Sequence, residues 1–201
     1  MIMMNTALPL NTKNESILKI AVLGLGSVGK TTISKSYSGE LNDPNQISMT
    51  KGVDITVKRI VHQGKTVTLQ IWDFAGQKQF RFMIDVFLRG VKGVMYVYDI
   101  TDIETLAYLH EFVDLTRNYL ANHFYPKVPE VLVGNKLDLE DVEVSIEDIH
   151  DFMKNYSIKK HFLVSGLLSG NVSEPFEYIV NQILNKEENL AEELLSKYPS
   201  F

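Results

Sequence analysis

Short apolar runs recur along this chain at intervals that leave room for helices between them. Ile17 to Gly24 (ILKIAVLG) is almost continuously apolar and stops at glycine, the pattern of a buried strand. Gly93 to Asp99, Val128 to Asn135 and the shorter His161 to Ser165 repeat it. Asp54 to His62 and Val67 to Asp73 flank Gln63-Gly64-Lys65-Thr66, which predicts a hairpin. Helical spacing fills the intervals. It is clearest from Leu106 to Asn122, where Leu106, Leu109, Val113 and Leu120 fall near one face. Lys30 to Ser38, Ile146 to Asn155 and Pro175 to about Leu184 are shorter examples. Ser145 ahead of Ile146, with Asp148 three residues on, has the form of a helix start. Strands alternating with helices predict an α/β fold, a mostly parallel sheet with helices on both faces and one antiparallel hairpin.

Three segments fall outside this pattern. Residues 1–16 are mixed and polar and read as a flexible N-terminal arm, so the domain is expected to span 17–184. Residues 185–201 are acidic and amphipathic through Leu190, Leu194 and Leu195, a tail placed to extend the last helix. Gly39 to Val53 contains Pro44 and no periodicity; it is a long loop of the kind that often carries function.

The first predicted strand runs into Gly24-Leu25-Gly26-Ser27-Val28-Gly29-Lys30-Thr31, which fits G-x-x-x-x-G-K-[ST], with a helix following. At average composition this pattern arises by chance at roughly one position in 30,000. Glycines let backbone N–H groups turn inward around phosphate oxygens, and the helix start adds free donors and the positive end of its dipole. Gly26, Ser27, Val28, Gly29, Lys30, Thr31 and Thr32 are therefore expected at the phosphates. Lys30 would reach the β- and γ-phosphates, and Thr31 would place its hydroxyl on Mg²⁺. A second signal ends the strand Val67 to Asp73. There Asp73 stands where a carboxylate supports Mg²⁺, Gly76 allows close approach to a γ-phosphate, and Gln77 carries an amide suited to orienting a water.

Val131-Leu132-Val133-Gly134 leads into Asn135-Lys136-Leu137-Asp138 at the carboxyl end of a strand, the edge where open α/β sheets bind ligands. The Asp138 carboxylate can accept from guanine N1–H and the exocyclic amine. Adenine has no N1 donor and would leave that charge desolvated and unpaired, so Asp138 selects by penalising the wrong base. The stem of Lys136 can lie over the base plane. Ser165-Gly166-Leu167, after the last strand, can offer backbone N–H groups to guanine O6.

Composition narrows the partners. The chain has 201 residues and a formal net charge of −5, which argues against nucleic acid as the main partner. It holds no cysteine, which excludes disulfides, thiolate chemistry, cysteine-based zinc sites and cysteine-linked lipids. No apolar run reaches the length of a membrane span and the N-terminus does not read as a signal peptide, so a cytoplasmic location is expected, with any membrane association peripheral and through partners.

Taken in order, Gly24 to Thr31, Thr50, Asp73 to Gln77, Asn135 to Asp138 and Ser165-Gly166 resemble the five motifs of the Ras superfamily of small GTPases, over about Leu18 to Ile183. Thr50 to Asp54 and Trp72 to Arg81 look most like the Rab branch. The resemblance implies a P-loop NTPase three-layer sandwich with a six-stranded sheet and five helices, and GTP/GDP and Mg²⁺ as ligands. It also implies switch loops around Thr50 and Gln77, and activating, exchange and effector proteins as partners. Thr50 would give its hydroxyl to Mg²⁺ and its N–H to the γ-phosphate. Gln77, Lys30 and Thr50 are the implied catalytic residues, and Thr31, Thr50 and Asp73 the implied metal set. The chain departs from the family at Phe74, where Thr is usual, at Gly166, where Ala is usual, and in lacking the prenylated cysteines. Tyr37 or Leu41 stands in for an aromatic often stacked on guanine. No arginine lies between Thr31 and Lys58, so hydrolysis is expected to be slow until a partner supplies one. Two other readings stay open: a GTP-binding module without useful hydrolysis, and an ATP-using P-loop kinase or ATPase.

Overall fold

The computed structural model describes residues 15–41, 43, 49–76 and 84–197. Among them are six strands: β1 (Glu15–Leu23), β2 (Val53–His62), β3 (Lys65–Phe74), β4 (Gly93–Asp99), β5 (Glu130–Asn135) and β6 (His161–Leu163). They form one sheet in the order β2-β3-β1-β4-β5-β6. Every neighbouring pair is parallel except β2 with β3, the hairpin at one edge. The helical segments are α1 (Lys30–Ser38), α2 (Ile84–Leu88), α3 (Ile103–Ala107), α4 (Leu109–Asn122), α5 (Ile146–Tyr156) and α6 (Ser173–Lys197). This is the mostly parallel, helix-covered sheet expected from the pattern.

Alternation along the strands builds two cores. On β1, Ala21 and Leu23 face one side while Leu18, Ile20 and Val22 face the other. Phe87, Leu106, Leu109, Phe112, Val113 and Phe152 pack with the first set; Ile33, Tyr37, Phe176, Ile179, Val180 and Ile183 pack with the second. Burial on both faces explains why these strands read as unbroken apolar runs rather than alternating ones.

Several boundaries differ from the expectation for identifiable reasons. The hairpin turn is only Gln63-Gly64, both with positive φ (49° and 78°), the two-residue geometry that matches strand twist. Lys65 and Thr66 are already in β3. The helix expected over 106–122 is two pieces that meet at Tyr108. The first starts earlier because Asp102 caps it, accepting from Glu104 N at 3.0 Å. With the unforeseen α2, the described residues carry six helical segments where five were implied. α5 has the capping box that Ser145 and Asp148 suggested. α6 continues past Leu184 to Lys197, and Glu188 and Glu187 on that extension pair with Lys65 (2.9 Å) and Lys92 (3.6 Å).

Candidate functional site

All of the motif residues within the described segments collect at the carboxyl edge of β1, β3, β4 and β5. A cavity of about 490 Å³ opens there, lined at one end by Gly26, Ser27, Gly29, Lys30, Thr31 and Thr32, at the other by Lys136, Asp138 and Leu167. Thr50, Ala75, Gly76 and Asn135 are also in its wall. Val28 does not line the cavity; its side chain is fully buried beneath the loop. Gln77 lies outside the described residues.

The phosphate-loop end is shaped by backbone. Gly29 caps α1 with φ 91°, a left-handed conformation that L side chains rarely adopt, and a Cβ there would lie 2.1 Å from Asn135 Nδ2. Lys30 starts the helix and folds back over the loop, donating from Nζ to Leu25 O at 2.6 Å. It is 6% exposed, and burial brings its pKa down to about 8, partly countered by the Asp73 charge. An arriving phosphate would hold this ammonium charged.

Beside Lys30 three oxygens converge from separate elements. Thr31 Oγ1 is 2.7 Å from Thr50 Oγ1, and both hydroxyls donate to Asp73 Oδ2, Thr50 at 3.1 Å. Asp73 is 1% exposed, and burial raises its pKa against the opposing pull of Lys30 and the two hydroxyls. Its Oδ1 is buried with no hydrogen-bond partner among the described residues. A buried carboxylate oxygen left unpaired costs free energy. Together with two hydroxyl oxygens it offers the hard donor set that suits Mg²⁺.

At the opposite end, Ser165 donates its hydroxyl to Asp138 Oδ1 at 2.5 Å, which fixes one carboxylate oxygen and leaves the other for a ligand. Asn135 is 3% exposed and works as a strut: Nδ2 donates to Val28 O (2.8 Å) and Oδ1 accepts from Gly166 N (3.0 Å). It thereby joins the phosphate loop to the loop after β6. The N–H groups of Ser165 and Gly166 are spent on Gly170 O and Asn135 Oδ1, so of the three proposed O6 donors only that of Leu167 has no acceptor among the described residues. Tyr37, one candidate to stack on a base, is instead buried against Phe176 with ring centroids 4.1 Å apart. Trp72 is also spent within the protein, edge-on to Phe87 and with the Lys19 ammonium 3.4 Å above its ring. Phe74 packs on Phe87 as well, which anchors α2 to the end of β3.

Sequence reasoning passed over Asp99. It ends β4 much as Asp73 stands one residue before the end of β3, and its carboxylate makes an ion pair with Lys136. An acidic residue at the carboxyl end of an apolar strand was the available signal.

Comparison with known proteins agrees with this geometry. The Ras family profile matches residues 19–185. Mouse Ras-related protein Rab-7b is 32% identical over 186 residues, covering 91% of this chain and 90% of that protein. The GTP-binding protein YPT1 of Saccharomyces cerevisiae is 33% identical over 174 residues (87% and 82%), and Ras-related protein RABA5b of Arabidopsis thaliana is 34% identical over 184 (90% and 80%). Among the described residues no helix is long and apolar enough to cross a membrane.

Proposed function

Because the chain belongs to the Ras family of small GTPases, we propose that it is a Mg²⁺-dependent GTP/GDP switch that hydrolyses GTP slowly by itself and acts on partner proteins through the loops around Thr50 and Gln77. The observation that carries this reading is one continuous cavity with a lysine-bearing backbone cradle at one end and a hydroxyl-oriented carboxylate at the other. Asp138 accepts from the guanine donor edge and excludes adenine, which disfavours the ATP-using alternative.

Thr31, Thr50 and Asp73 would hold Mg²⁺, which supplies charge neutralisation at the phosphates. In hydrolysis a water oxygen bonds to the γ-phosphorus as the bond to the β–γ bridging oxygen breaks, giving GDP and phosphate. Lys30 stabilises the charge that gathers on the bridging oxygen, and Gln77 orients the water. Thr50 is the sensor: its N–H meets the γ-phosphate, and loss of that group releases the loop. Arginine supplied by an activating protein accelerates the step; Gly26, which has nothing among the described residues within 4 Å of where a Cβ would stand, leaves room for it. Exchange and effector proteins complete the cycle. The protein works in the cytoplasm, reaching membranes through partners. The domain starts two residues before the expected 17, because Glu15 and Ser16 already pair with Thr66 and Val67 in the sheet, and the tail after 184 continues α6.

Denaturing the purified protein and identifying the released nucleotide by chromatography tests the first claim; guanine nucleotide is expected, and adenine nucleotide would end the reading. Single-turnover phosphate release tests the second. Gln77→Leu should slow it at least about tenfold, the scale of a misplaced nucleophile; equal rates would leave a passive GTP-binding module.

A further inference from the structure

Lys136 and Asp138 line the same cavity two residues apart, with opposite charges. Nothing in their spacing prevents the flexible Lys136 ammonium from pairing with Asp138 and occupying the carboxylate meant for the base. The structure shows a different pairing. β4 and β5 run parallel with Asp99 opposite Asn135, so Asp99 stands beside the residue that precedes Lys136. Lys136 has a left-handed backbone, φ 69°, and its ammonium pairs with Asp99 Oδ2. The Asp99 side chain is 8% exposed. Its other oxygen accepts from Thr101 N (2.9 Å) and Thr101 Oγ1 (2.8 Å), which fixes the direction in which Oδ2 faces. Thr105 pins the backbone at the same point, accepting from Asp99 N at 2.9 Å. Asp138, meanwhile, is held by a neutral donor, the Ser165 hydroxyl.

We propose that Asp99 is a positioning residue for purine selection: it retains the Lys136 ammonium, so that the Lys136 stem walls the base pocket while the Asp138 carboxylate stays open to the guanine donor edge. The inference rests on the guanine-binding reading above and adds a residue that touches no nucleotide. Breaking the ion pair from its two ends must then have opposite consequences. Asp99→Asn keeps an acceptor for Thr101 but frees a cation to compete for Asp138. Lys136→Met breaks the same pair and removes the competitor.

The readout is the ratio of affinities for GDP and IDP, by displacement of a fluorescent GDP analogue in the presence of Mg²⁺. IDP lacks the exocyclic amine, so the ratio measures how freely Asp138 accepts from it. Asp99→Asn should lower the ratio at least about threefold, because part of the amine's acceptor is taken. Lys136→Met should weaken both nucleotides and keep the ratio within about twofold of wild type, and the double variant should recover the wild-type ratio. A merely structural Asp99 would weaken GDP and IDP by the same factor, and that result overturns the inference, as does an unchanged ratio or a loss in Lys136→Met equal to that in Asp99→Asn. Should Asp99→Asn not fold, a ratio that falls about threefold or more in Lys136→Met still overturns the inference. Wild-type protein that fails to prefer GDP over IDP would remove the guanine reading itself; a preference indifferent to Asp99 removes only this assignment.

Discussion

Truncating Asn135 to alanine tests whether the two ends of the cavity are mechanically joined. The amide donates to Val28 O at 2.8 Å and accepts from Gly166 N at 3.0 Å, in a side chain almost wholly shielded from water. Alanine leaves both backbone groups without partners. Each orphaned buried group costs about 1–3 kcal/mol. The cavity beside them admits water to part of the gap, so about 2–4 kcal/mol is expected in sum, divided between nucleotide affinity and fold stability. In affinity alone that is about 30- to 1,000-fold. The assays are stopped-flow release of a fluorescent GDP analogue and urea denaturation of the GDP-bound protein. Asn135→Asp sharpens the result. It keeps an acceptor for Gly166 N but turns an oxygen toward the Val28 carbonyl, so it should be no better than alanine despite a nearly identical shape. An alanine variant that releases GDP within threefold of wild type and unfolds at the same urea concentration would refute the strut, and so would an aspartate variant that behaves as wild type.

Three further outcomes follow from other parts of the structure. A Cβ on Gly76 would lie 2.2 Å from Leu25 C, 2.3 Å from Gly24 O and 2.4 Å from Gly26 N, all backbone, so Gly76→Ala must move the chain after β3 off the phosphate loop. Equilibrium binding should show affinity for a non-hydrolysable GTP analogue falling at least about tenfold more than affinity for GDP if, as proposed, Gly76 meets the γ-phosphate. Asp138→Asn should shift preference from guanine to xanthine nucleotides, whose C2 carbonyl accepts what the new amide donates; competition between GDP and XDP measures it, and an unchanged guanine preference would mean that Asp138 does not read the base. His161 is held neutral down to about pH 4 by burial, from an ordinary value of 6.5. The unfolded chain takes up a proton between those values that the folded imidazole refuses, so stability should decline as pH falls from about 6.5 to about 4. His161→Gln, assayed by urea denaturation at pH 7 and pH 4.5, should show a smaller decline.

The chemistry-bearing residues of the phosphate loop were legible because they are neighbours in the chain: one turn between a strand and a helix places Gly29, Lys30 and Thr31 together whatever surrounds them. Asp73, Asn135 and Asp138 were legible for a related reason, since each sits at the end of an apolar run and parallel strands bring such ends to one edge. The sheet and its hairpin followed from periodicity. α2 was not foreseen, and the break at Tyr108 lay within a pattern that helical spacing carries across. Pairings between distant segments were likewise invisible. Asn135 bridging Val28 to Gly166, Asp99 retaining Lys136, and Tyr37 turning inward onto Phe176 each depend on which strands become neighbours and on the depth to which a side chain is buried. Residue types arranged along the chain determined the family this protein belongs to and where its candidate site forms. The partners of those residues in space were decided only when the sheet closed, because a buried polar group must find whatever donor or acceptor the packed neighbour presents.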